Sequence, residues 1–377
     1  MRNNKTDNSY PFDNEIVVEI DGKQHKNWKS YEIDSDFLIP ADSFSFNIGL
    51  PAESTQIPNY TGKTAKVLIN DELVLTGIID TTRHNISKGN RTFSLNGRDK
   101  AAILLDCSAP QINVKGLTVL QAIEQIVKPL GITNVQLKAE SNPILDKVDI
   151  NVGESAWQAI MNCANSAGLH CWFEPDGVLV VGGADYSTPP VATLCCNKSG
   201  DKNNVLEASL MFDYSQSYSH ITFLAQRHGR SNDESKHDLK WVYEAENAPS
   251  YKPKTIVIAD VENLEALQKK AKKFISDSLL EQFDLTLIVA DHKTASGELW
   301  RPGQRVHVIC EEYGIDAIFF LMGRRFMLTK FGGTQTELRL KEDGVWTPDA
   351  YAAKSEKARK RKGKGKLLVS DGQGGWK

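Results

Sequence analysis

RTFSLNGRDKAAILLDCSAP, Arg91 to Pro110, begins with one periodicity and ends with another. Phe93 and Leu95 alternate with polar residues, the period of a half-buried strand. From Lys100 onward, KAAILLD sets Ala, Ile and Leu side by side, as a short helix of good helix formers does. Asn96-Gly97 reads as the turn between them, and Asp99 stands where a helix N-cap belongs. Ile103 with Leu104 or Leu105 would anchor the helix, and Ser108-Ala109-Pro110 would release the chain. Charge at such a switch fits an active-site turn, a phosphate cradle or a domain boundary. The stretches on either side decide among them.

On the N-terminal side the pattern is β. EIVVEIDGKQ places Asp21-Gly22 after an apolar run, a hairpin signal. SFSFNIGLP alternates Phe44, Phe46 and Ile48, and KVLINDELVLTGIID gives two strands about Asn70-Asp71. Short strands at this spacing predict a small barrel or sandwich.

On the C-terminal side the pattern is α/β and self-similar. LTVLQAIEQIVKPLGI sets Val119, Ala122, Ile123, Ile126, Val127 and Leu130 on one helical stripe. Thr118 and Gln121 have capping-box spacing. ESAWQAIMNCANSAGLHCWFEPDGVLVV repeats the plan with Trp157, Ile160, Met161 and Ala164, and with Ser155 and Gln158. Gly131 and Gly168 each follow as helix stops. A strand should follow each helix, NVQLKA and then HCWFEP, which turns at Asp176-Gly177.

The last third returns to β. LEASLMFDYS and YSHITFLAQRHG read as strands, and Arg230 to Lys254 as a long polar loop. NLEALQKKAKKFISDSLL is one amphipathic helix with Leu264, Leu267, Ala271, Phe274 and Ile275 inward and its lysines on a solvated face. EQFDLTLIVA, GQRVHVICE, AIFFLMG, RRFMLTK and, past Gly332-Gly333, TQTELRLKE then predict five strands. The division expected is 1–105, 106–202, 203–348 with a helix at 261–279, and a basic tail at 349–377.

Charge is uneven. Residues 351–377 hold nine Lys/Arg and two Asp/Glu, which leaves 36 basic and 46 acidic residues in the body. Like-charge runs with glycine do not fold alone. The tail reads as an arm for an acidic protein partner, ahead of DNA. No apolar run is long enough for a membrane span or anchor, and MRNNKTDNSYPFDNE lacks the apolar core of a signal peptide, so the chain is expected to be made and kept in a cytoplasm.

Known chemistries fail on spacing. TGKTAK at 61–66 lacks the earlier glycine of a phosphate loop, since Ile57 occupies that position, and it precedes a strand. No G-x-S-x-G or H-E-x-x-H exists. Cys107, Cys163, Cys171, Cys195, Cys196 and Cys310 form no C-x-x-C pair and read as free thiols. Adjacent carboxylates such as Glu311-Glu312 read as exposed, and nothing in the sequence singles out two carboxylates that face across a cleft. No cofactor, metal or catalytic residue is expected.

The order of parts is informative: a β domain, an α/β insert, and a second β domain holding one helix. With Gly97-Arg98-Asp99-Lys100, Leu105-Asp106-Cys107, the repeat carrying Trp157 and Gly168, and Leu299-Trp300 before Pro302-Gly303-Gln304, the chain from about Glu15 to Trp346 resembles the baseplate hub proteins of Mu-like contractile-tailed phages. The resemblance extends to the hub part of type VI secretion spike proteins. It implies two similar β-barrels per subunit and a homotrimer whose six barrels form a ring. That ring joins the tail tube and adjacent baseplate proteins to the central spike, with DNA only in passage, in a virion baseplate assembled in the host cytoplasm. It implies no enzyme activity and brings no catalytic residues. In that setting Arg98 is expected to pair with Asp99, Asp106 or a neighbouring subunit. The competing readings are a secretion-spike hub component and a β-domain cell-wall hydrolase.

Overall fold

The computed structural model describes residues 14–49, 58–145, 147–225, 239–245, 248–258, 264–329 and 332–346. The basic tail lies outside the described residues. The alternating N-terminal stretches form β1 (Ile16–Ile20), β2 (Lys23–His25), β3 (Ser30–Asp36), β4 (Ser43–Gly49), β5 (Thr64–Ile69), β6 (Glu72–Ser87) and β7 (Asn90–Asp99), followed by α1 (Ala101–Asp106). The hairpin turns have positive φ at both central residues, 50° and 73° at Asp21-Gly22 and 49° and 64° at Asn70-Asp71. That is the type I′ geometry that Asp, Asn and Gly accommodate.

The expected turn at Asn96-Gly97 is not a turn. The β7 strand runs on to Asp99, with Asn96 opposite Ser45 and Gly97 opposite Phe44 in the β4 ladder. Glycine is there for space: a Cβ at Gly97 would collide with the Ile78 carbonyl oxygen and the Phe44 ring. A strand-interior glycine of this kind marks close approach rather than a bend.

The insert comprises β8 (Asn113–Val114), β9 (Leu117–Thr118), α2 (Val119–Val127), β10 (Val135–Lys138), β11 (Ile144–Leu145), β12 (Val148–Asp149), α3 (Ala156–Ser166), β13 (His170–Phe173) and β14 (Leu179–Gly182). Both predicted helices form, and their stripes share one core holding Ile123, Ile126, Trp157, Ile160 and Ala164. The Thr118–Gln121 capping box closes in both directions. At α3 only half of it forms: Ser155 accepts the Gln158 N–H at 3.2 Å, while the Gln158 side chain donates to Asn162. Gly168 ends α3 at φ 71°.

The chain then forms β15 (Ala192–Cys196), β16 (Val205–Phe212), β17 (His220–Ala225), β18 (Leu239–Glu244), β19 (Pro253–Ile258), α4 (Leu264–Gln282), β20 (Phe283–Ala290), β21 (Arg305–Cys310), β22 (Ile315–Thr329) and β23 (Gly333–Glu342). Four expectations change here. LKWVYE, expected as loop, is β18, paired with β17 over six residues. The α4 helix runs to Gln282, past the expected end at 279, so the next strand starts at Phe283; residues 261–263 lie outside the described residues. Leu264, expected inward, is exposed. AIFFLMG and RRFMLTK are one strand, bulged between Leu321 and Gly323, so four strands stand where five were expected.

Two of the sheets organise the molecule. Thirteen strands form one sheet whose main path is β16-β20-β23-β22-β3-β4-β7-β6-β5-β1-β2, with β21 on β22 and β15 on β21. The two ends of the chain are therefore not separate layers. They meet where β22 pairs with β3, and one core runs from Val18 and Phe46 to Leu285, Phe326 and Leu340. No pairing among the described residues closes either β region on itself. The β17, β18 and β19 strands form their own sheet, covered by α4 over a separate core of Ile221, Phe223, Leu239, Leu267 and Ala271.

Candidate functional site

Only some of the motif residues meet at a joint. A cavity of about 380 Å³ lies among the end of β3 and its following turn, β13, the 298–304 loop and β22. Asp99, Trp300, Pro302, Gly303 and Gln304 all line it. The rest of the GRDK segment lies beside it. Arg98 forks outward to Asp80 (2.7 and 3.1 Å) and Asp106 (3.2 and 2.8 Å) rather than to Asp99. Its hydrogen bonds hold the Asp106 carboxyl below the usual range. Lys100 spans to the insert, donating to the Gly177 carbonyl at 3.4 Å. Leu105 packs against the insert core, while Trp157 and Gly168 belong to that core and to the end of α3, away from the cavity.

Asp99 is not the N-cap residue, a position Lys100 holds without a side-chain bond. The Asp99 carboxylate accepts the Ala101 N–H at 2.9 Å, so it still satisfies a free donor of the first turn. Leu299 and Trp300 are buried in the core shared by the two β regions. The Gln304 side chain folds the loop on itself, accepting the Arg301 N–H at 2.9 Å and donating to Glu298 at 2.8 Å. Gly303 (φ 92°) lets that loop pass against the Phe37 ring.

Phe37 is the residue the sequence did not announce. Its ring stacks on Trp346 at 5.2 Å and meets Trp172 edge-on at 5.2 Å. Its N–H donates to Met322 O at 3.0 Å, and its carbonyl bonds to His170 Nε2 at 2.8 Å. One residue thus ties β3 to the insert, to β22 and to the last described turn.

The electrostatics are those of a buried lattice. Asp36 pairs with Arg339 at 3.0 Å, and Arg339 also binds Asp34. Gly323 permits this, since a Cβ there would occupy the space of the Asp36 carboxylate and Arg339. Burial outweighs Arg339 and pushes the Asp36 carboxyl up to about 6. Asp42 accepts from Ser35 Oγ (2.5 Å) and the Asp36 N–H (3.2 Å), and burial lifts it to about 6 as well. Asp99, desolvated and close to Asp42, lies well above the usual value. Arg324, pushed down to about 10 by burial, donates to Ile33 O at 2.9 Å and lies over the Phe326 ring at 4.1 Å. His292, fully buried, is held neutral, down to about 3, with Tyr31 at 2.7 Å and Thr336 at 3.0 Å. Signals for Asp34 and Asp36 existed in the every-second carboxylates of YEIDSD. Their partner Arg339 lies 305 residues from Asp34, which no local pattern reveals. Chemically, these bonds fix the parts against one another. No His/Cys/Asp/Glu group fit for a metal occurs among the described residues.

A second feature lies at the end of the large sheet. Among the described residues the edge strand β16 pairs only with β20, and Leu206, Met211, Phe212 and the following Tyr214 are exposed. No helix among the described residues is long and apolar enough to cross a membrane.

Comparison with known proteins divides the chain among four domain families. Residues 15–99 match the N-terminal domain of Mu phage baseplate assembly protein GpP-like proteins, and 101–183 match the second domain of baseplate hub protein gp44-like proteins. Residues 217–275 and 277–345 match the third and C-terminal domains of NMB1110-like tail proteins. Baseplate hub protein gp44 of Escherichia phage Mu is 21% identical over 372 residues, 95% of this chain and 96% of that protein. The tail protein from Neisseria meningitidis MC58 is 54% identical, with a TM-score of 0.83 over 90% of this chain and 99% of that one. The 43 kDa tail protein of prophage MuSo2 from Shewanella oneidensis shares the fold at 22% identity, with a TM-score of 0.79 over 88% of this chain and 99% of that one.

Proposed function

The chain belongs to the Mu-type family of phage baseplate hub and tail proteins, and from that premise we propose that it forms a homotrimeric hub ring between tail tube and central spike. The observation that carries the proposal is the β3–β22 seam. It sets the N-terminal and C-terminal β regions of one chain side by side in a single sheet. Three chains would then present six β units, a threefold object with near-sixfold periodicity, and each unit is the expected barrel once its neighbours complete it. The division at 1–105, 106–202 and 203–348 serves this scheme, with the helix-covered unit around 217–275 as an outer attachment. The tail 349–377 would be an arm for an acidic partner. A net acidic body suits a conduit that DNA traverses without sticking. Assembly in the host cytoplasm follows from the same reading.

A ring that transmits force needs rigid joints, and the Phe37 lattice supplies one. It also needs a closed heterologous interface, which for an obligate trimer buries roughly 2,000 Å² or more. Light scattering of the purified chain tests this: the expected mass is three times 41.9 kDa. A monomer at micromolar concentration would count against the hub ring.

One observation favours a hydrolase as the second reading, namely three carboxylates, Asp36, Asp42 and Asp99, at one cavity. Each already takes bonds from its own chain, so none is poised for a glycan. Clearing of peptidoglycan in a zymogram would establish the hydrolase; an unmarked gel fits the structural role.

A further inference from the structure

Two of the six thiols are placed to react with each other. The β15 strand lies parallel to β21, with Leu194 opposite Val308 and Cys196 opposite Cys310. Strand side chains alternate between faces. Leu194, Cys196, Val308 and Cys310 all belong to the shared core or pack against it, so the two thiols share a face and Cys195 points the other way. The two thiols are close enough for Cys310 to help push the Cys196 thiol up. Cα atoms on neighbouring strands are about 4.8 Å apart, inside the roughly 4.4–6.8 Å range of disulfides. The Cβ atoms need only a small approach, and Cys196 can make it: it is the last residue of β15, next to the turn that leads to β16. Cys310 is buried, whereas Cys196 is only half-buried and open to a small reagent.

We propose that Cys196 and Cys310 are a latent cross-strand disulfide, formed when the folded protein meets a low-molecular-weight disulfide such as oxidised glutathione. The Cys196 thiolate attacks one glutathione sulfur, and the other leaves as thiolate. The Cys310 thiolate then attacks Cys196 sulfur in the mixed disulfide and expels the second glutathione. The two protein thiols are oxidised and one glutathione disulfide is reduced to two glutathione thiols, which take up the two protons the protein thiols lose. Burial and the neighbouring Cys310 push the Cys196 thiol up, so the reaction is slow at neutral pH and faster above it. The bond would staple β15, which among the described residues pairs only with β21, across the segment that carries the 217–275 unit. Its setting, a particle leaving a reducing cytosol, rests on the baseplate reading; the chemistry of the isolated chain does not.

The test incubates the full chain, folded, with oxidised glutathione at pH 8.5. Thiols are then counted after denaturation, and peptides are mapped by mass spectrometry. The expected result is a fall from six thiols to four, one peptide pair joined through Cys196 and Cys310, and Tm raised by several degrees. Cys196→Ser should keep all five of its thiols and its Tm. Cys195→Ser should lose two of five and gain the same Tm shift. Six persisting thiols, a stable glutathione adduct on Cys196, a bond through Cys195, or cross-links between chains would each overturn the proposal. Light scattering of the untreated sample reads the trimer separately, so the two ideas fail independently.

Discussion

Gly97 shows how a residue can be legible as important and illegible in its role. Asn-Gly beside a change of period is a turn signal, but nothing local says that Phe44 and the Ile78 carbonyl will press on that spot. Gly97→Ala should therefore destabilise the fold by about 1–3 kcal/mol through overpacking, seen as a lower Tm, whereas an exposed turn glycine would lose less. An unchanged Tm would return Gly97 to the turn reading. The Asp36 lattice makes a different prediction. Asp36 and Asp42 ordinarily titrate near 3.8 and here near 6. Between those values the folded protein holds protons that the unfolded chain has released, so stability falls as pH rises through that window. His292 and His170 ordinarily titrate at 6.5 and here near 3 and 4. There the unfolded chain holds the extra protons, so stability falls as pH drops below about 6.5. The slopes oppose over roughly pH 4–6 and flatten the profile. Asp36→Asn removes one downward slope, and thermal or denaturant melts should then gain up to about 1.4 kcal/mol of stability per pH unit more steeply across that window. A profile parallel to wild type would show that Asp36 is not held protonated by the fold.

Elements with strong periodicity were readable because one face of each is buried along its whole length, so the period is unbroken. The α2 and α3 stripes and the β20 alternation, buried at Phe283, Leu285, Leu287 and Val289, are cases. The β18 strand escaped because its apolar residues sit in a polar run, and only pairing to β17 makes them a strand. The expected break in β22 falls at Gly323, yet that glycine makes room for Asp36 and Arg339 across the ladder. The α4 helix covers a core that none of the other three shares. Leu267, fully buried there, should cost about 2–5 kcal/mol when cut to Ala. The loss should stay local: hydrogen exchange should speed up in β17 and leave β4, β7 and β13 unchanged. Uniform loss of protection would show one cooperative unit instead.

At the scale of the molecule, the architecture depends on a contact no sequence pattern encodes, the meeting of β3 and β22 across nearly the whole chain. The order of parts could be read, because each part carries its own pattern; their fusion into one sheet could not. Among the described residues that fusion leaves β16 at the end of the sheet with outward apolar side chains. Edge strands of this kind pair with other chains unless charge or a cover prevents it, and β16 carries Leu206, Met211 and Phe212 exposed. In a trimeric hub, this edge is where a neighbouring copy would continue the sheet. Met211 is the residue to change, because Phe212 also meets Phe283 and would disturb the core. A lysine at an exposed strand position costs the isolated fold little, within about 0.5 kcal/mol, yet three ammonium groups in a closed ring cannot be desolvated without partners. Met211→Lys should keep the far-UV spectrum of the folded chain while light scattering falls from three chains toward one. If the variant keeps the trimer mass at the same concentration, the seam lies on another surface, and β16 is an edge guarded by its own twist.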